Sequence, residues 1–192
     1  MIYTWQSRRR LLGAALLVVL AGCNTTPPPR LFTLEARPAA RENGAASVVM
    51  VRSVELPHYL DRPEIIRRTS PYELKYSEYE RWGEGMRDMV TRILVENLAM
   101  RLPKSEVSAG TGPLTLRARA TVEVEIVRFD ADPDGTVILA ARWAVQRDGK
   151  GGRLQSERIR VPGTSADTAQ LVAAMSDALG QLGDRIALEL AA

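Results

Sequence analysis

The sequence predicts an α+β domain, a mostly antiparallel sheet with two long amphipathic helices packed on one face. Three observations lead there. Residues 114–126 alternate apolar and polar side chains without a break, the period of a strand with one buried face. Two segments, 84–102 and 164–186, carry apolar residues at three- and four-residue steps, the period of a helix with one buried stripe. The alternating segments are joined by short stretches rich in Asp and Gly, which suit hairpins and therefore antiparallel neighbours.

In chain order, Leu31-Phe32-Thr33-Leu34 reads as a short strand and residues 47–56 as a second, rich in β-branched residues. Pro57 and Pro63 frame an irregular segment. Tyr72-Glu73-Leu74-Lys75-Tyr76 alternates like a strand. The first helix follows, with Met86, Met89, Val90, Ile93, Leu94, Leu98 and Leu102 on one stripe and Pro103 as its stop. Leu114 to Ile126 is the clearest strand. Val137 to Gln146 repeats it with Val137, Leu139, Ala141, Trp143 and Val145 on one side, and Arg153 to Val161 is a weaker third. The connections, residues 130–135 and 148–152, have hairpin-turn composition. The last helix is expected to begin near Thr164 or Ser165, with Asp167 in its first turn and Leu171, Val172, Met175, Leu179, Leu182 and Ile186 buried.

The N-terminus reads differently. Arg8, Arg9 and Arg10 precede an apolar and small-residue run, Leu11 to Gly22, well short of the roughly 20 residues that a membrane-spanning helix needs. Charge, apolar run and small residues in that order describe a signal peptide. Leu20-Ala21-Gly22-Cys23 resembles the bacterial lipobox, in which a lipid joins the cysteine thiol and the peptide is cut before it. The expected organisation is a signal peptide over 1–22, a lipidated tether over 23–30 and one domain over 31–192. Pro27-Pro28-Pro29 stiffens the tether. Asn24, rather than Asp, follows the cysteine, which favours the outer membrane and a domain facing the periplasm. Cys23 is the one cysteine of the chain, so no internal disulfide or CxxC redox pair exists.

The full chain holds 26 basic and 23 acidic residues, but the three arginines of the leader have no acidic counterpart there. From Cys23 onward the charge balances, which removes the main support for a nucleic-acid partner. Catalytic patterns are scarce. His58 is the sole histidine, in a proline-framed loop, so a metal site with two histidines is impossible. Asp130, Asp132, Asp134 and Gly135 match positions 1, 3, 5 and 6 of an EF-hand loop, yet position 12 is Ala141 and strands flank the segment, so a hairpin turn is preferred. Gly149-Lys150-Gly151-Gly152 lacks the spacing of a phosphate-binding loop. No enzyme, metal or cofactor is expected beyond the covalent lipid on Cys23.

Two segments stand out. Residues 56–68 mix Tyr59, Leu60, Ile65 and Ile66 with Asp61, Arg62, Glu64, Arg67 and Arg68, which suits a protein interface and a tightly packed connection equally. Trp82, in Tyr79-Glu80-Arg81-Trp82, suits a core or staple residue better than a binding anchor. Together, Leu56-Pro57-His58-Tyr59-Leu60-Asp61-Arg62-Pro63-Glu64-Ile65-Ile66, Arg81-Trp82-Gly83-Glu84 and the helix end Leu102-Pro103 resemble the ABC-type transport auxiliary lipoproteins of the PqiC type. Gly85 and Phe32 stand where that family often has Pro and Tyr.

The resemblance implies a non-enzymatic auxiliary subunit of an intermembrane lipid transport system, docked on a tunnel of MCE-domain proteins and supporting membrane integrity. Tyr59, Leu60, Asp61, Arg62 and Trp82 are then the expected interface or fold-defining residues. A rotationally symmetric tunnel would favour a ring of copies at its end. The alternative is a periplasmic lipid-binding carrier, which needs an unfilled apolar pocket between helices and sheet.

Overall fold

The computed structural model describes residues 27–39, 47–110, 117–164 and 167–192. Cys23, Asn24, Leu114, Leu116 and Ser165 lie outside the described residues. The elements run β1 (Arg30–Phe32), β2 (Val48–Val51), a 3-10 turn (His58–Leu60), β3 (Glu64–Ser70), β4 (Glu73–Trp82), α1 (Met86–Arg101), β5 (Glu106–Ala109), β6 (Ala120–Ala131), β7 (Val137–Arg147), β8 (Gln155–Val161) and α2 (Thr168–Ala191).

The expectation of one mostly antiparallel sheet is corrected. The described residues form two sheets, both mixed. The larger has the order β5-β2-β6-β7-β8, with β2 parallel to both β5 and β6 and the β6-β7-β8 meander antiparallel. The smaller has the order β1-β4-β3, with β1 parallel to β4 and β3 antiparallel to it. Parallel neighbours need a crossover connection, and α1 lies on the path from β2 to β5. The direction of pairing is invisible in segments as short as Val48-Val49-Met50-Val51, whose side chains fix burial but not the partner. β3 and β5 have no counterpart among the expected elements, and β4 runs on through Trp82.

Both helices cover the larger sheet. α1 lies over β2 and β5, α2 lies over β6, β7 and β8, and the two helices touch. Met89, Ile93, Leu94 and Leu98 from α1 meet Leu171, Met175, Leu179 and Leu182 from α2, all buried. Below them Val122, Val124 and Ile126 sit opposite Val145, Trp143 and Ala141 in register. Asp167 caps α2, its carboxylate accepting from the Ala169 N–H at 2.8 Å, so the helix starts a turn later than the periodicity suggests.

A strap over residues 33–37 crosses the helix pair. The Glu35 N–H donates to Ser176 Oγ at 3.1 Å and the Arg37 N–H to Asn97 Oδ1 at 2.9 Å. Arg101, 2% exposed, closes the far end. Its guanidinium donates to Asp184 at 2.6 Å and to the carbonyls of Gly180, Asn97 and Arg37 at 2.9–3.1 Å. A buried guanidinium is tolerated there because its donors find fixed acceptors. Among the described residues no helix is long and apolar enough to cross a membrane.

Candidate functional site

The segment between Pro57 and Pro63 is a tight knot rather than a loose loop. Pro57 is extended (φ −65°, ψ 143°), and its carbonyl accepts from the Leu60 N–H at 2.9 Å. The Asp61 N–H donates to the His58 carbonyl at 3.2 Å and the Arg62 N–H to the Leu60 carbonyl at 2.9 Å. These bonds turn Leu60 into the core and leave His58, Asp61 and Arg62 exposed.

Tyr59 faces a charged cluster built by β6. A register shift between Ile126 and Arg128 marks a bulge, which leaves Val127 exposed and changes which residues face the helices. Before it the inward residues are Val122, Val124 and Ile126; after it they are Phe129 and Ala131. Asp130 therefore lies beneath Tyr59 and Arg68, its carboxylate fully buried. It accepts from the Tyr59 hydroxyl at 2.9 Å, from Arg68 at 3.0 Å and from Arg128 at 2.6 and 2.8 Å. Burial is the largest single influence on Asp130 and opposes its charge. The hydrogen bonds from Arg68, Arg128 and Tyr59, with the charge of Arg128, outweigh it, so its pKa falls below the usual carboxylate value. The same neighbours act on Tyr59: burial first, then the Asp130 charge and hydrogen bond, hold its hydroxyl protonated well above the usual phenol range. The cluster ties the 57–63 knot, the smaller sheet through Arg68, and the larger sheet through Asp130 into one unit.

Arg128 also reaches Asp132, and Asp134 accepts from the Thr136 N–H at 2.9 Å and its hydroxyl at 3.0 Å. The aspartates that mimic an EF-hand are thus engaged within a β6–β7 hairpin, with Gly135 at φ 88° and the Gly135 N–H donating to the Asp132 carbonyl. No group of three His, Cys, Asp or Glu side chains able to hold a metal occurs among the described residues.

The sequence-expected residues therefore separate. Leu60 and Trp82 are buried, and the Trp82 N–H donates to the Pro63 carbonyl at 2.7 Å. Tyr59 is spent on Asp130. Asp61 and Arg62 are the members that reach solvent. The Arg62 guanidinium sits 4.2 Å over the Tyr76 ring and 3.5 Å from Glu64. Two open clefts lie on either side of Arg68, and the second of them reaches Tyr59 of the knot. One of about 730 Å³ is lined by Arg67, Arg68, Lys75, Glu78 and Glu80. The other, about 780 Å³, is lined by Tyr59, Arg68, Arg128, Asp134 and Arg158. Both clefts are open and mix charged residues with apolar ones such as Leu171 in the first and Val127 in the second, unlike an enclosed chamber for acyl chains. Sequence reasoning missed the role of Asp130. A signal existed in the change of apolar parity from Ile126 to Phe129, which locates the bulge.

The family model described as the ABC-type transport auxiliary lipoprotein component matches residues 32–187, from β1 to near the end of α2. The chain belongs to this family. Among curated relatives, this auxiliary lipoprotein is similar to the intermembrane transport lipoprotein PqiC of Escherichia coli (strain K12). The two are 26% identical over 103 residues, 54% of each chain. The figures are the same for PqiC of Shigella flexneri. The chain thus spans about half the length of the curated relatives it matches. Its fold is shared with a solved but uncharacterised protein, at TM-score 0.72 and 20% identity over 85% of this chain and 99% of that one. A Xanthomonas campestris protein gives 0.70 and 18%, over 82% and 92%.

Proposed function

We propose that this auxiliary lipoprotein is held on the outer membrane by lipid on Cys23, faces the periplasm, and docks the end of an MCE-domain tunnel that carries lipid between membranes. The observation that carries the reading is the family match over residues 32–187, together with the likeness to proteins named for intermembrane transport. The geometry supports a docking part. The knot at 57–63 is locked from behind by Asp130 and offers Asp61 and Arg62 on a rigid backbone, as a preorganised protein contact requires. In this reading the chain has no cofactor other than its covalent lipid, copies assemble as a ring around the tunnel mouth, and loss of the protein weakens the membrane barrier.

The carrier alternative draws less support. The space it would use, between helices and sheet, is filled by Met89, Ile93, Leu94, Leu98, Met175 and Leu179.

The test is recovery of the full-length, acylated chain from detergent-solubilised envelopes, with bound proteins identified by mass. An MCE-domain protein should copurify in amounts comparable to the bait. Recovery of the folded chain without one would overturn the docking reading.

A further inference from the structure

The heading of β1 says where the anchor lies relative to the body of the domain. β1 runs parallel to β4, with Arg30 beside Glu80 and Leu31 beside Arg81. The chain therefore enters β1 from the side on which β4 begins, which is the tip of the β3–β4 hairpin. Seven positions separate Cys23 from Arg30, and seven separate Glu73 from Glu80. Seven positions reach about 23 Å at most when extended, whereas β4 advances less over its seven, because residues 77–80 bulge where Glu64 pairs with Arg81 and Ile66 with Tyr76. The reach from Arg30 back to Cys23 is therefore enough to bring the anchor to the side of the domain that carries the hairpin tip.

The tip has the chemistry of a bilayer contact. Tyr72 is 98% exposed, and Pro71 beside it is exposed too. Tyr76, with Arg62 over one face of its ring, and Tyr79 are partly exposed further along β4, and the exposed Glu73 and Lys75 lie between Tyr72 and Tyr76. Tyrosine, with an apolar ring and a polar end, concentrates at the headgroup level of membranes, and cations there meet anionic lipid. The tip is also rigidly joined to the body, since Arg68 donates to the Pro71 carbonyl at 3.1 Å and to Asp130 of β6 at 3.0 Å.

We infer that the β3–β4 hairpin tip, with Tyr72 foremost, rests on the surface of the same bilayer that holds the lipid of Cys23. The inference rests on the anchored reading above. It sets the orientation of the domain. Asp130, at one end of β6, lies toward the membrane. The opposite end, where Ala120 neighbours Arg119 and the turn at Ser105, points away from it.

The test uses the full-length acylated chain. Because acylation blocks Cys23, a Tyr72→Cys substitution supplies a single reactive thiol, as does Lys104→Cys at the opposite end. Each variant is labelled with an environment-sensitive fluorophore and reconstituted in vesicles of phosphatidylethanolamine with a minor share of phosphatidylglycerol. Some of the vesicles also carry a spin-labelled phospholipid quencher. The label at 72 should lose most of its emission to the quencher and shift to the blue, while the label at 104 should do neither. A chain that floats with vesicles but leaves the label at 72 unquenched overturns the seating and spares the anchor. A parent chain that reacts with the label at Cys23, or does not float, overturns the anchor and the seating together.

Discussion

At the scale of single residues, the Tyr-Leu-Asp-Arg run holds two kinds of work in four positions. Tyr59 and Leu60 secure the fold, whereas Asp61 and Arg62 meet solvent. Tyr59→Phe removes one hydrogen bond to a buried carboxylate, so unfolding free energy should fall by about 1.5–3 kcal/mol in denaturant titration. Asp61→Lys with Arg62→Glu removes the Arg62 contacts with Tyr76 and Glu64 and should lower stability by about 1 kcal/mol while leaving the chain folded, and it should sharply reduce recovery of the proposed MCE-domain partner. Equal recovery by that double variant would place the contact elsewhere. Asp130 adds a pH signature. Its folded pKa lies below its unfolded value, so the stability it contributes is present above about pH 4 and is lost as pH falls through the lower folded value. Asp130→Asn should be less stable at neutral pH and lose less on acidification than the parent, as read by thermal melts across that range.

At the scale of elements, turn chemistry decides the meander. The β7–β8 hairpin turns at Asp148 and Gly149, both at positive φ (49° and 75°), the mirror-image turn that matches strand twist. Gly152 is required for a different reason. A Cβ there would stand 1.9 Å from the Val145 carbonyl oxygen, while one at Gly151 would meet nothing within 4 Å. Gly152→Ala should therefore lower stability by about 1–3 kcal/mol, and Gly151→Ala should change it little, as judged by paired melts. Such hairpins were legible in the sequence, because Asp-Gly pairs between alternating runs carry their own mechanism. The stripe of α1 was legible too, from Met86 to Leu102. The parallel pairing of β2 was not, since four apolar residues say nothing of the partner's direction. Nor was the strand at 64–70, where Ile65 and Ile66 are buried side by side and break the alternation that would have revealed it. The Asp130 cluster stayed hidden because its members come from two stretches about 60 residues apart, 59–68 and 128–130, joined only when the smaller sheet folds onto β6.

At the scale of the whole molecule, the described domain is a scaffold whose buried charges are paired and whose core is filled. The function proposed for it is positional: it would hold a rigid surface at a fixed height above a bilayer. Docking to a tunnel and seating of the hairpin tip both require the chain to be fixed to a membrane at Cys23. The most direct test is the intact mass of the native protein purified from envelopes. The account predicts a chain that begins at Cys23 and carries covalent fatty acyl groups there. A chain that retains residues 1–22, or one that begins at Cys23 without any acyl mass, would contradict it.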